Sequence, residues 1–122
     1  MNQKNMAIAN TFYTAFGEKN LETMEKYLHP DVQLITPLST LQGKEAYLEA
    51  VQGFVVFFKA LSIRETFGEG DQAVVVYDLE CGGGIGKTSA VALMTFQEGL
   101  IIRNELFHDT SPYAKIMDEL SA

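Results

Sequence analysis

Two polar residues stand where an apolar strand face is expected. Period-two alternation through residues 99–109, GLIIRNELFHD, puts Leu100, Ile102, Asn104, Leu106 and His108 on one face, and Ile101, Arg103, Glu105, Phe107 and Asp109 on the other. The first face is apolar apart from Asn104 and His108, so it is the face expected to point inward. A polar group turned inward must find a fixed hydrogen-bond partner or line a cavity that holds water or ligand. His108 is therefore read in two ways, as a general base with a free pKa near neutrality or as a core-edge residue bonded to a backbone carbonyl. Asn104 either orients His108, polarises a substrate carbonyl, or is a satisfied structural amide.

Other residue types that could do chemistry are scattered. Tyr77 and Tyr13 each carry a phenol able to donate to a ligand oxygen; Tyr13 falls at core spacing and is read as packing. Glu65 shares a strand face with Leu61, Ile63 and Phe67, so it either enters an apolar cavity or, if the strand bulges, is solvated. His29 is read as closing a helix end, and no His, Cys, Asp and Glu set has metal-ligand spacing, so no metal or cofactor is expected. The segment CGGGIGKTS resembles a phosphate-binding loop, but the required glycine five residues before Gly86 is Cys81. Only 34 residues follow Thr88 and no βαβ framework precedes it, so a glycine-rich hairpin is the preferred reading.

Composition narrows the classes. The 122 residues suit one domain, residues 1–122, with 47% hydrophobic and 20% charged residues. A net charge of -7 speaks against a nucleic-acid or anionic-membrane surface. The single cysteine, Cys81, gives no intrachain disulfide, and neither a signal peptide nor a membrane-length apolar run is evident, so a cytoplasmic location is expected.

The elements that would position these residues follow from spacing. Met6, Ala9, Phe12, Tyr13 and Phe16 form one helical stripe over 3–16. Asn20 is a candidate N-cap for a second short helix through Leu21, Met24 and Leu28, ended by His29-Pro30. Asp31 to Pro37 alternates as a short edge strand, residues 38–43 are a polar connection, and Lys44 to Phe58 is a third helix whose apolar end should be buried or roof a cavity. Strands over 61–69, 72–81, 87–97 and 100–109, joined by turn chemistry, make an antiparallel meander. Within it Ala73, Val75, Tyr77, Leu79 and Cys81 face inward, as do Thr88, Ala90, Ala92, Met94 and Phe96, while the outer face is apolar enough for a second subunit to cover it. A C-terminal helix is read over 111–120.

This order is α+β, with helices on one side of a bent sheet. The segments FYTAFGEKNLETMEKYLHPDV, GKEAYLEAV and EGLIIRNELFHD make the chain similar to the nuclear-transport-factor-2-like (NTF2-like) superfamily, and within it to the SnoaL-like branch. The resemblance implies a cone-shaped curved antiparallel sheet wrapped around helices, a cystatin-like α+β barrel with a pocket, and frequent dimerisation through the outer sheet face. It also removes familiar catalytic groups. The proton-abstracting Asp of ketosteroid isomerases of this fold falls at Thr36, their oxyanion tyrosine at Phe12 beside Tyr13, and their second acid near Ala92 or Met94. The inward acid on the last strand of SnoaL-type cyclases and related epoxide hydrolases falls at Leu106, which leaves His108 as the substitute base.

The expectation is a dimeric cone that binds a small, mostly apolar molecule in a pocket lined by Leu34, Thr36, Tyr47, Phe54, Tyr77, Met94, Asn104, Leu106 and His108. Any turnover would be cofactor-independent isomerisation, cyclisation or hydration, with His108 as base and Tyr77 or Asn104 as donor. The alternative is a non-catalytic ligand-binding or dimerisation module of the same fold.

Overall fold

The structure is a computed structural model that describes residues 2–82 and 85–109. Helix α1 spans Asn2–Gly17 and α2 spans Leu21–Lys26, followed by strands β1 (Leu28–Ile35) and β2 (Thr40–Gln42). Helix α3 (Lys44–Phe54) then leads into β3 (Phe58–Glu69), β4 (Gln72–Cys81), β5 (Gly86–Gln97) and β6 (Leu100–His108). The six strands form one curved sheet in the order β2-β1-β6-β5-β4-β3. Strands β3 to β6 are the expected antiparallel meander. Helix α1 lies on β3 and β4, α3 lies on β1 and β2, and α2 joins the two helices. The sheet ends in two edges, β2 and β3, so it is an open curved sheet, where the resemblance implied a barrel.

The local chemistry explains most boundaries. Asn20 caps α2 as expected, its Oδ1 accepting the Thr23 amide at 3.1 Å. The helix nevertheless stops at Lys26, before His29-Pro30, because the next residues are claimed by the sheet. The Ile101 amide donates to the Tyr27 carbonyl at 2.7 Å, and Leu28 pairs with Ile101 in a parallel ladder. His29 therefore sits within β1, not at a helix end, and its Nδ1 accepts the Asp31 amide at 2.9 Å. β1 is also an interior strand, where the proline at its end suggested an edge. The edge is β2, which forms inside the segment read as a connection after the Thr36 hydroxyl has folded the chain back. Helix α3 ends at Phe54, four residues earlier than its periodicity suggested; of the apolar run that follows, Val55 and Phe58 are buried while Val56 is 73% exposed. The C-terminal helix read over 111–120 lies outside the described residues.

Two irregularities decide which side chains face the core. Thr95 pairs with Arg103 but Phe96 pairs with Ile101, so Ile102 is an extra residue, a β-bulge in β6. The parity of β6 therefore changes at Ile102. Ile101, not Leu100 or Ile102, is the fully buried residue at the start of the strand, while Asn104, Leu106 and His108 keep the inward face beyond it. The second shift lies between Ile63 and Glu65 in β3. It turns Glu65 outward, where it is exposed, so no carboxylate enters the core from β3. The glycine-rich segment joins β4 to β5, with Cys81 paired to Gly86 and the Ile85 amide donating to the Gly82 carbonyl. Residues 88–96, which a phosphate-binding loop would need as a helix, are strand.

The register change makes a direct prediction. Ile101→Ala should destabilise the protein by about 2–5 kcal/mol, as expected for a buried Ile truncated in a core, and Ile102→Ala should cost far less. Equal losses in denaturant unfolding would contradict the bulge.

Candidate functional site

Side-chain size on β5 determines where the core is filled. Its inward residues run Thr88, Ala90, Ala92, Met94, Phe96, small at one end and large at the other. Met94 and Phe96 fill the narrow end of the cone. Ala90 and Thr88 leave space at the wide end, where a cavity of about 270 Å³ opens. Its wall takes Phe12, Tyr13 and Phe16 from α1, Tyr47, Val51 and Phe54 from α3, and Leu34, Tyr77, Ala90, Leu106 and His108 from the sheet. Thr36, Leu38 and Ser39 of the β1–β2 turn complete it at the rim.

Cross-strand register sets the spacing of the candidate groups. Tyr77 pairs with Ala90 and Ala90 pairs with His108, so the three lie in one row across β4, β5 and β6. Two strand spacings separate Tyr77 from His108, roughly 9.5 Å between backbones, with only a methyl group between them. The His108 imidazole is partly buried, and its Nδ1 lies 3.1 Å from the Asp109 carbonyl oxygen. A carbonyl only accepts, so in the neutral ring Nδ1 holds the hydrogen and Nε2 the lone pair. Among the described wall residues there is no carboxylate, lysine or arginine.

At the cavity floor lies a network that period and spacing did not reveal. Asn104 is fully buried, and its Nδ2 donates to the Tyr13 hydroxyl at 2.9 Å and to the Tyr47 hydroxyl at 2.8 Å. Its Oδ1 is buried and finds no hydrogen-bond partner among the described residues. The Tyr13 ring packs beside that of Tyr77, with centroids 4.8 Å apart. Burial pushes the Tyr13 phenol well above its usual range, and the nearby Tyr77 oxygen adds to this while the Asn104 bond opposes it. Burial likewise raises Tyr47, with Tyr13 adding and Asn104 opposing. Both phenols therefore stay protonated and hydrogen-bond competent across the physiological range.

The expected wall residues Leu34, Thr36, Tyr47, Phe54, Tyr77, Leu106 and His108 all border the cavity. Met94 and Asn104 do not, because Met94 is packed into the narrow end and Asn104 stands behind the tyrosines. Asn104 is not joined to His108 by any hydrogen bond of the described residues; Leu106 separates them along the strand. Tyr13, read from spacing as packing, is both a wall residue and a network member. Its signal was chemical: a phenol on a stripe otherwise made of Phe and Ala needs a buried partner. Among the described residues no group of three or more His, Cys, Asp or Glu could hold a metal, and no helix is long and apolar enough to cross a membrane.

The raised phenols can be observed. On alkaline titration followed by phenolate absorbance, Tyr13 and Tyr47 should remain protonated beyond the ordinary tyrosine range near 10 until the fold opens. Because their folded pKa lies above the unfolded one, their contribution to stability is complete below about pH 10 and is lost as pH rises toward the folded value. Loss of the late-titrating phase in Tyr13→Phe and Tyr47→Phe variants identifies them; unchanged late titration would count against the network.

Comparison with known proteins agrees with this geometry. Residues 9–104 match the family model of the SnoaL-like domain. No curated protein matches the sequence. In structure the chain is similar to a protein from Kribbella flavida DSM 17836, with a TM-score of 0.86 at 16% identity over 95% of each chain. An NTF2-like protein of unknown function from Cytophaga hutchinsonii gives 0.80 at 21% identity, covering 90% of this chain and 94% of that one. TerC co-crystallised with polyporic acid gives 0.80 at 21% identity, over 94% of this chain and 98% of that one. At these identities the structural likeness speaks to fold alone, the fold of NTF2-like proteins, but the family match spans most of the chain, which therefore belongs to the SnoaL-like domain family.

Proposed function

We propose that this protein binds a small, neutral, mostly apolar molecule in the cone cavity, and that His108 is the base of any cofactor-independent chemistry performed there. The observation that carries the reading is the cavity of about 270 Å³ whose described wall residues include no carboxylate, lysine or arginine and are mostly Leu, Phe and Tyr. Burying a charged ligand against such a wall would cost several kcal/mol without a counter-ion, about as much as an unpaired buried charge costs elsewhere. An apolar protein cavity of about 150 Å³ holds benzene, so this one has room for a skeleton of about two rings. TerC, whose fold is shared, was crystallised with polyporic acid, which supports the use of such a cone as a ligand site.

The chemistry follows from where the lone pair and the donors are. With Nδ1 turned to the Asp109 carbonyl, His108 Nε2 carries the lone pair, and the Tyr77 phenol stands across Ala90 from the imidazole. A substrate laid over Ala90 would meet a base at one end and a phenol at the other. That arrangement suits proton abstraction beside a carbonyl, as in isomerisation or cyclisation, or activation of water in a hydration. Among the described wall residues His108 is the group suited to the base role.

Binding and chemistry are separable by experiment. Ala90→Leu should fill the trough and abolish naphthalene or tetralin binding, measured by calorimetry, while the unfolding midpoint is retained. His108→Gln should leave binding within about threefold but lower turnover of any small ketone or epoxide that the wild type converts by about 10²–10⁴-fold. Turnover unaffected by His108→Gln would remove the catalytic role. Absence of ligand binding would leave the non-catalytic module as the reading.

We also propose a homodimer through the outer sheet face, on a different observation. Two outward rows cross the sheet, Phe67-Val74-Leu93-Glu105 and Glu65-Val76-Val91-Phe107, each with an aromatic at one end and a glutamate at the other. Phe67 is 57% and Phe107 49% exposed around an aliphatic centre. The rim carries both signs, through the Arg64 and Asp78 pair and the Arg103 and Glu105 pair, so the net charge of -7 need not repel a second copy locally. An apolar centre with a charged rim is the anatomy of a protein interface. Sedimentation should show a dimer in the wild type and a monomer in Leu93→Glu; a wild-type monomer at high concentration would exclude this face as the interface.

A further inference from the structure

We infer that Asn104 fixes the hydrogen-bond polarity of the cavity floor, so that the ligand must bring an acceptor oxygen and not a donor; this inference rests on the ligand-binding reading above. A phenol can give one hydrogen and accept one or two. Asn104 donates both Nδ2 hydrogens, one to Tyr13 and one to Tyr47. Each phenol is thereby used as an acceptor and keeps its own hydrogen to give away.

The two hydrogens have different destinations. The Tyr13 ring lies against that of Tyr77, with centroids 4.8 Å apart, so its hydroxyl has a second phenol beside it inside the network. The Tyr47 hydroxyl is bonded to Asn104 alone among the described residues, and its ring is part of the cavity wall. A buried hydroxyl hydrogen without an acceptor is costly, so the Tyr47 hydroxyl favours a ligand oxygen that takes it. The orphaned Asn104 Oδ1 marks the same asymmetry from the other side. Were the amide turned the other way, Oδ1 would take both phenol hydrogens and the floor would offer nothing to a carbonyl.

Asn104 does not touch the ligand in this account. It is a positioning residue, acting through Tyr47. The ligand class follows from size and polarity together: a neutral skeleton of about two rings with a carbonyl or ether oxygen at one end. A ligand whose only polar group is an N–H donor would leave that phenol hydrogen without an acceptor.

The probes are 1-tetralone and tetralin, which share a skeleton and differ by one carbonyl. Wild type should bind 1-tetralone about tenfold more tightly than tetralin, the effect of one neutral buried hydrogen bond. The carbonyl stretch of bound 1-tetralone should shift to lower frequency than in hydrocarbon solvent. Tyr47→Phe should bring the affinity ratio near one and abolish the frequency shift, with tetralin binding unchanged. Asn104→Asp, whose carboxylate accepts from both phenols, should do the same by withdrawing the hydrogen; if that variant fails to fold, Tyr47→Phe decides. Equal affinities of wild type for the two probes, or a shift that survives Tyr47→Phe, would overturn the inference and leave the binding reading standing. If neither probe binds, the ligand-binding reading itself falls, and this inference with it.

Discussion

One side-chain amide ties three elements together. Asn104 lies on β6, Tyr13 on α1 and Tyr47 on α3, so two hydrogen bonds of 2.8 and 2.9 Å pin both long helices to the centre of the sheet. Apolar contacts alone would hold the helices on the sheet but would let them slide, because hydrophobic burial is non-directional. Directional bonds in a dry interior fix the register of that packing, and a partly broken set would be more costly than an apolar replacement. The cavity keeps its shape because the elements that form its walls are cross-linked at its floor.

The same point explains why the space remains open. A cone sheet with large residues throughout would close on itself. β5 instead grades from Thr88 and Ala90 to Met94 and Phe96, and the aromatic cluster of Phe16, Phe54 and Phe58 supports the wall from the helix side, with ring centroids 5.1 to 6.2 Å apart. Stacked and tilted contacts of this kind hold rings at preferred angles as well as burying them. An empty apolar space persists only when its surroundings cannot relax into it, and here rigid rings on one side and a hydrogen-bonded sheet on the other resist collapse.

Much of this was legible in the chain, because it depends on local period. The meander, the inward faces of β4 and β5 and the Asn20 cap each follow from spacing within a few residues. What spacing could not supply was pairing over distance. β1 begins at Leu28 because Ile101 reaches it from the far end of the chain, and β2 exists because β1 offers it a partner. The Ile102 bulge escaped for the same reason, since Leu-Ile-Ile reads equally well in either parity. The inward placing of Asn104 and His108 agrees with the structure because the alternation beyond the bulge is undisturbed. Met94 and Asn104 were placed on the correct face, but facing inward does not mean bordering the cavity, and depth along the cone depends on the sizes of neighbours.

The parallel pairing of β1 with β6 has a kinetic meaning. β3 to β6 are joined by short turns, so their contacts are local and cheap in loop entropy. β1 gains its inner neighbour only when Ile101 and Asn104 arrive, some seventy residues later in the chain. During synthesis α1, α2 and β1 therefore leave the ribosome with an apolar face uncovered, and Phe12, Tyr13 and Leu34 wait for the last strand. High sequence separation of this kind slows folding, and an exposed apolar intermediate is a target for aggregation. The strand that completes the cavity is also the one that ends the vulnerable period of the chain.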